Sequence, residues 1–343
     1  MAVPDAQRAA VDDAPVPPTG LIPPSPARPT GPAILRRHQE TTMTANTSPA
    51  ASTAQTGITA GSPVWVDLGV PDLDAVQGFY QSLFGWEFED MGPDFANYHM
   101  ITRHGASVGG AMSQMESDAD QPAAWTVYLK SDDIEKSLTD TAAAGGSVIV
   151  PAMPMPGLGS MGVVITPGGE GMGIWQADGF EGFVLDGTVG APVWFEVMSF
   201  DYDADAEYYR TVWGWEPTLL GDDGQEAGAD TGAGASEQSD EAGETVATDD
   251  AGDGTEGGCY ANNHPGEAAT AGLCDAPRDW FPEGTDSFWR PYFIVENADA
   301  AVDLVRAQGG AVLDGPMDTP FGRLATVADP AWATFQISEL PAG

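Results

Sequence analysis

The sequence predicts an α+β protein: two tandem βαβββ-type modules, each a cupped mixed sheet with its helices outside. Three observations predict it. Pro63-Val64-Trp65 recurs as Pro192-Val193-Trp194, and Phe79-Tyr80 with Phe84-Gly85-Trp86-Glu87 recurs as Tyr208-Tyr209 with Trp213-Gly214-Trp215-Glu216, each at an offset of 129 residues. Further along, Trp125 pairs with Trp289, Gly145-Gly146 with Gly309-Gly310, and Pro167 with Pro330, at offsets of 164, 164 and 163. The jump of 35 between the offsets matches a low-complexity run from Gly221 to Gly258, so one scaffold is written twice and interrupted once.

The elements follow in order. Val64 to Val70 alternates as a strand. Pro71-Asp72 breaks it and Asp72 caps a helix from Leu73 to Phe84, which Gly85 stops. Strands are expected at Tyr98 to Thr102 and Ala124 to Leu129, then a helix from Asp132 to Ala144 ending at Gly145-Gly146. Strands at Ser147 to Val150, Met161 to Thr166 and Gly171 to Gln176 close the copy. The second copy repeats this with Val193 to Ser199, Ala204 to Val212, Phe288 to Val295, Ala298 to Gln308, Ala311 to Leu313, Leu324 to Ala328 and Thr334 to Ile337. Strands that curl into one sheet leave a concave face within.

Outside this scaffold the chain reads differently. Residues 1–60 are rich in Pro, Ala, Thr and Ser without apolar periodicity and are expected to be a disordered extension. Module one is placed at 61–180 and module two at 190–340, with a disordered acidic insert at 221–258 that holds twelve acids and no base. The whole chain carries 52 acids against 12 bases, a formal charge of -40. Such a surface repels phosphate backbones and anionic head groups, which argues against nucleic acid and membrane partners.

Cys259 and Cys274 have neither Cys-x-x-Cys spacing nor a nearby histidine pair, and are expected as free thiols. Arg36-Arg37 is followed by His38, Gln39 and Glu40 rather than an apolar core, and no apolar run matches a membrane span, so a cytoplasmic location is expected.

The stretch Val66-Asp67-Leu68-Gly69-Val70-Pro71-Asp72-Leu73-Asp74, with Phe79-Tyr80 and Leu83-Phe84-Gly85-Trp86, resembles the vicinal oxygen chelate superfamily. Glyoxalase I, fosfomycin and bleomycin resistance proteins and extradiol dioxygenases belong to that superfamily. Ser199-Phe200-Asp201, Tyr208-Tyr209 and Trp213-Gly214-Trp215 carry a weaker version, and Asp329-Pro330 looks like the turn that opens the family's last strand. The likeness extends to tandem actinobacterial members labelled glyoxalase or hydroxylase-like.

The resemblance implies metal ligands on the first and last strands of each module. Counting seven residues back from Asp72 and Asp201 gives Trp65 and Trp194; counting seven forward from Thr166 and Asp329 gives Gly173 and Gln336. Only Gln336 of these can bind a divalent ion, so no metal site and no cofactor is expected.

Trp65 and Trp194 share inward parity with Asp67 and Glu196. The indoles either wall a pocket for a planar ligand or fill the cup as core. The carboxylates either bind a ligand's cation or hydroxyl, or act as bases, or sit wet at the cavity mouth. Tyr128, Tyr292, Trp175, Gln176 and Gln336 lie on cup strands and supply polar tips or packing. His99 and His104 lack metal-ligand spacing, although a site joining His99, Asp67 and Glu196 remains a geometric alternative.

The leading expectation is a metal-independent protein that sequesters an apolar or aromatic small molecule, as drug-resistance members of the family do, acting as a monomer of fused modules or a homodimer. The alternatives are a glyoxalase-, lyase- or dioxygenase/hydroxylase-like enzyme using Asp67 and Glu196, and a structural protein whose cups are filled by side chains.

Overall fold

Alternation along the first strand sets the frame. In the computed structural model, which describes residues 58–114, 121–184, 187–220 and 259–341, β1 (Pro63–Val70) turns Val66, Leu68 and Val70 to a fully buried face and Trp65 and Asp67 to the opposite one. Asp72 then accepts from the Ala75 amide and starts α1 (Leu73–Phe84). Gly85 ends it at φ 69°, a left-handed backbone that an L side chain adopts only under strain. The helix buries Leu73, Val76, Phe79, Tyr80, Leu83 and Phe84, a stripe at helical spacing.

The first module continues with β2 (Glu87–Asp90), β3 (His99–Arg103), β4 (Ala106–Ser113), β5 (Ala124–Lys130), α2 (Ile134–Ala143), β6 (Ser147–Met155), β7 (Gly159–Ile165) and β8 (Gly171–Ala177). Its sheet runs β2-β3-β4-β1-β5-β8-β7-β6. β1 pairs in parallel with β4 and antiparallel with β5, and β5 in parallel with β8.

The second module repeats the plan with β9 (Pro192–Ser199), α3 (Tyr202–Trp213), β10 (Thr218–Leu219), β11 (Tyr260–Asn262), β12 (Gly272–Asp275), β13 (Phe288–Ile294), α4 (Ala298–Ala307), β14 (Ala311–Thr319), β15 (Gly322–Ala328) and β16 (Thr334–Glu339). Its order is β10-β11-β12-β9-β13-β16-β15-β14, the first sheet over again. The two-module fold expected from the repeats is therefore present, with one refinement: each half of each module is itself a βαβββ unit.

The expected strands and helices all form, but β2, β4, β10, β11 and β12 were not foreseen. β2 is a polar edge (Glu-Phe-Glu-Asp), β4 carries Gly109-Gly110, and β10 to β12 flank the acidic run. Of the extension expected over 1–60, residues 1–57 lie outside the described residues, as does the insert at 221–258; residues 58–60 are placed, with Ile58 packed on the core and its carbonyl accepting from Lys130. The chain that leaves β10 returns at β11, where the Leu220 amide donates to the Tyr260 carbonyl over 2.9 Å.

The modules share one core. Phe84 and Trp86 pack on Phe293 with ring centroids 5.5 and 5.1 Å apart, and Tyr80 packs on Phe335 at 5.8 Å. Polar ties cross in reciprocal pairs. Trp86 Nε1 donates to the Gly190 carbonyl and Trp215 Nε1 to that of Gly61, each over 2.9 Å. Tyr80 donates to Asp329, and Tyr209 to Glu170. Each buried aromatic ring contributes about 1.5–3 kcal/mol and each hydrogen bond about 1 kcal/mol, so apolar burial holds the modules together and the polar ties set their register.

Cys259 and Cys274 are free thiols. No helix among the described residues is long and apolar enough to cross a membrane.

Candidate functional site

The concave face of the first sheet is organised around one carboxylate. Strand pairing sets Asp67 opposite Gly110 on β4 and Thr126 on β5, Trp65 opposite Tyr128, and Tyr128 beside Gly173. All of them therefore share a face, and their side chains converge. Tyr98, just before β3, donates to Asp67 Oδ1 over 2.6 Å. Trp65 Nε1 is shared between Asp67 Oδ1 at 2.9 Å and the Tyr98 hydroxyl at 2.8 Å.

Asp67 keeps some solvent contact, yet protein side chains wall it on all sides. The walls decide its chemistry: burial raises its pKa above the ordinary carboxylate value, against the side chains of Tyr98, Tyr128 and Trp65, which favour the ionised form.

A small residue makes this possible. A Cβ on Gly110 would stand 1.6 Å from the Tyr98 hydroxyl and 2.5 Å from Asp67 Oδ1, so only glycine lets the phenol lie across β4. Phe180 packs edge-on against Trp65 at 5.0 Å and against Trp175 at 6.1 Å. Trp175 Nε1 donates to the Phe180 carbonyl over 2.8 Å and holds that loop in place.

The second cup repeats the parts but not the electrostatics. Gly272 on β12 stands opposite Glu196, and Tyr260 lies over Gly272 as Tyr98 lies over Gly110. Trp194 Nε1 donates to the Tyr260 hydroxyl over 2.8 Å. Where Thr126 faces Asp67, however, Arg290 faces Glu196. Its guanidinium reaches Glu196 Oε2 at 2.6 and 3.1 Å, and Tyr292 donates to the same oxygen at 2.7 Å. Glu196 is thus a buried, neutralised carboxylate, whereas Asp67 has two hydrogen-bond donors, Trp65 and Tyr98, and no ion pair among the described residues.

The remaining candidates separate. Tyr128 and Trp175 join the first cup, and Tyr292 and Gln336 the second, where Gln336 is Tyr292's partner on β16. Gln176 faces away and accepts from the Ile134 amide over 2.8 Å, capping α2. His99 Nδ1 contacts the Asn97 carbonyl at 2.9 Å, and His104 takes a turn with φ 50° before Gly105. Asp67 and Glu196 belong to different sheets, and His99, on β3 of the first, contacts the Asn97 carbonyl rather than either carboxylate. An open cleft of about 290 Å³ lies between Asp318, Arg323 and Glu339, lined by none of the cup residues.

Comparison with known proteins follows this geometry. A sequence model of the Glyoxalase/Bleomycin resistance protein/Dioxygenase superfamily matches residues 62–172. Anthracycline biosynthesis protein DauV of Streptomyces sp. (strain C5) is 30% identical over 298 residues, covering 82% of this chain and 94% of that protein. The chain belongs to the glyoxalase/bleomycin resistance protein/dioxygenase superfamily.

Other members of the superfamily resemble it along similar lengths. Protein CFP32 of Mycobacterium tuberculosis (strain CDC 1551 / Oshkosh), whose name carries a provisional glyoxylase assignment, is 29% identical over 282 residues, 81% of this chain and 94% of its own. Among solved structures, a Mn(II)-bound glyoxalase from Novosphingobium aromaticivorans superposes with a TM-score of 0.50 at 15% identity, over 82% of each chain. BphC, a halotolerant catechol dioxygenase, gives 0.50 at 9% identity over 82% of this chain and 87% of its own. At these identities the superpositions establish the fold.

The metal that some members of the superfamily carry does not fit the donors here. The positions singled out by the resemblance hold two indoles, a glycine and the amide of Gln336, and no group of three His, Cys, Asp or Glu among the described residues is arranged to hold an ion.

Sequence reasoning missed Tyr98, Tyr260, Gly110, Gly272, Phe180 and Arg290. The signal for Arg290 was present: the offset that pairs Trp125 with Trp289 also pairs Thr126 with Arg290. Tyr98 stands just before β3, and Tyr260, Gly110 and Gly272 lie on strands whose short or glycine-rich sequences carry no alternation.

Proposed function

We propose that this superfamily member binds a flat, largely apolar small molecule in its first cup without a metal, and that the second cup is a scaffold. The observation that carries the reading is the uncompensated Asp67 carboxyl ringed by Trp65, Tyr98 and Tyr128, against Glu196, which Arg290 already neutralises. A buried carboxylate without a cation favours a ligand that brings its own donor, a phenol or an amine. Indole and phenol faces favour an aromatic plane. The relatives named for anthracycline biosynthesis support a polycyclic aromatic ligand. Phe180 packs against Trp65 and Trp175, so on this reading its loop must swing aside to admit the molecule.

A second reading is an enzyme in which Asp67 moves a proton on the bound ligand. Its raised pKa, which brings a carboxyl closer to the working pH of a general acid or base, favours that reading. Glu196 is a poor partner in it because its charge is spent on Arg290.

Titration of the protein's tryptophan fluorescence with a hydroxylated anthraquinone tests the proposal. The expected result is one site per chain, indifferent to a chelator, weakened about tenfold or more in Asp67→Asn, the order expected for a lost hydrogen bond to a charged group. Binding unaffected by Asp67→Asn, or present only with an added divalent ion, would overturn it.

A further inference from the structure

Two carboxyl groups meet inside the molecule, away from both cups. Glu170 lies in the turn between β7 and β8 of the first module, and Asp205 in the first turn of α3 of the second; both are fully buried. One oxygen of each is well served. Tyr209 donates to Glu170 Oε1 over 2.8 Å, and Ser199 and Ser287 donate to Asp205 Oδ2 over 2.6 and 3.0 Å. The other two, Glu170 Oε2 and Asp205 Oδ1, have no partner. They lie 2.7 and 2.2 Å from the single point where a Cβ on Gly168 would stand.

The surroundings hold no cation. The neighbouring groups are Thr166 on the β7 side, Tyr208 and Tyr209 on α3, Asp201 at the α3 cap, Ser199 at the end of β9, and Ser287 with Asp286 before β13. No ion pair among the described residues reaches either carboxyl. Burial first, and the charge of Asp205 second, push Glu170 up to about 7, against the nearby Thr166 hydroxyl, its own backbone and the Tyr209 hydrogen bond. Burial also raises Asp205, against Ser199 and Ser287 and with Asp201 adding to the rise.

The opposite pole of the molecule shows what a single acid looks like in this setting. There Tyr80 stands for Tyr209, Val76 for Asp205, and Asp329 alone accepts from Tyr80 and from the Ala331 and Ala333 amides. Both of its oxygens are satisfied. The Glu170 pole carries one carboxyl more and two bare oxygens, which a single hydrogen between them satisfies at once.

We propose that Glu170 and Asp205 share one proton across the module boundary, and that losing it loosens the seating of α3 on the first module. α3 is otherwise tied there by the Tyr208 and Thr141 hydroxyls, 3.1 Å apart. A carboxyl whose proton is held more tightly when folded stabilises most below its unfolded value. That stabilisation falls as pH rises from there to about 7 and stays lost above it.

Thermal melting of the full chain at fixed high salt, which screens the general repulsion of its acids, reads this out. The wild type is expected to lose several degrees of melting temperature between about pH 5.5 and the folded value of Glu170. Glu170→Gln supplies a permanent donor and is expected to lose clearly less melting temperature than the wild type across that window, the remaining slope being that of Asp329. Asp205→Asn donates to Glu170 and removes the neighbouring charge, so the midpoint shifts to lower pH; it serves as well if Glu170→Gln fails to fold. Parallel pH slopes in wild type and both variants would overturn the proposal. So would sodium or calcium raising the melting temperature of the wild type at pH 8 but not of the variants, since the pair would then hold a cation.

Discussion

Tyr80 donates its hydroxyl to Asp329 Oδ2 over 3.0 Å, joining α1 of the first module to the β15–β16 turn of the second. The bond lies inside the shared aromatic core, where Asp329 is pushed up to about 6 because burial strips its water, against the donors on Ala333, Tyr80, Ala331 and Trp332. Tyr80→Phe keeps the ring and deletes the donor. It is expected to destabilise the protein by about 1–3 kcal/mol in denaturant unfolding, the cost of a buried polar group left short of a partner. Losing the donor raises Asp329 further, so the deficit grows as pH rises through its folded value. An unchanged midpoint at pH 7 contradicts this.

Arg290 is expected to matter for folding rather than binding. Arg290→Met leaves Glu196 charged, buried and uncompensated, a change that costs about 3–5 kcal/mol for an internal ion pair. The double change with Glu196→Met removes both charges and is expected to recover most of the loss. Equal stabilities of single and double variants in urea would show the pair to be inert.

Thr126→Arg copies the second cup into the first. A guanidinium opposite Asp67 neutralises the carboxyl from within, so anthraquinone affinity is expected to fall about tenfold or more while the chain stays folded. Retained affinity with an intact circular dichroism spectrum would place the ligand elsewhere.

Two glycines give opposite expectations for the same substitution. Gly110→Ala drives a methyl into the Tyr98 hydroxyl and is expected to cost about 1–3 kcal/mol and to weaken binding. Gly78→Ala, on the exposed side of α1 with nothing within 4 Å of the new carbon, is expected to stabilise by about 0.5–1 kcal/mol. Melting temperatures of the two variants moving in the same direction would refute the reading of the first cup.

The repeats made the fold legible, because duplicated tryptophans and helix-ending glycines mark the same joints twice. The helix Leu73–Phe84 was readable to the residue, since Asp72 and Gly85 bound it. Inward parity placed Trp65 and Asp67 on one face, as the structure has them. What could not be read was the difference between the cups. It depends on Thr126 and Arg290 standing across from Asp67 and Glu196, a relation set by strand pairing between segments far apart in sequence. Tyr98 was hidden for a related reason: its hydroxyl reaches Asp67 only because β3 and β4 form, and β4, with its two glycines, carries no apolar rhythm.

The return of the chain at Tyr260 beside Leu220 has a practical side. Because β10 and β11 close against each other through their own amides, the length of whatever joins them enters the folding free energy only logarithmically. That hairpin is therefore a natural port: a fluorescent reporter or a tethering peptide spliced there would report on the cups from a distance without asking the scaffold to change.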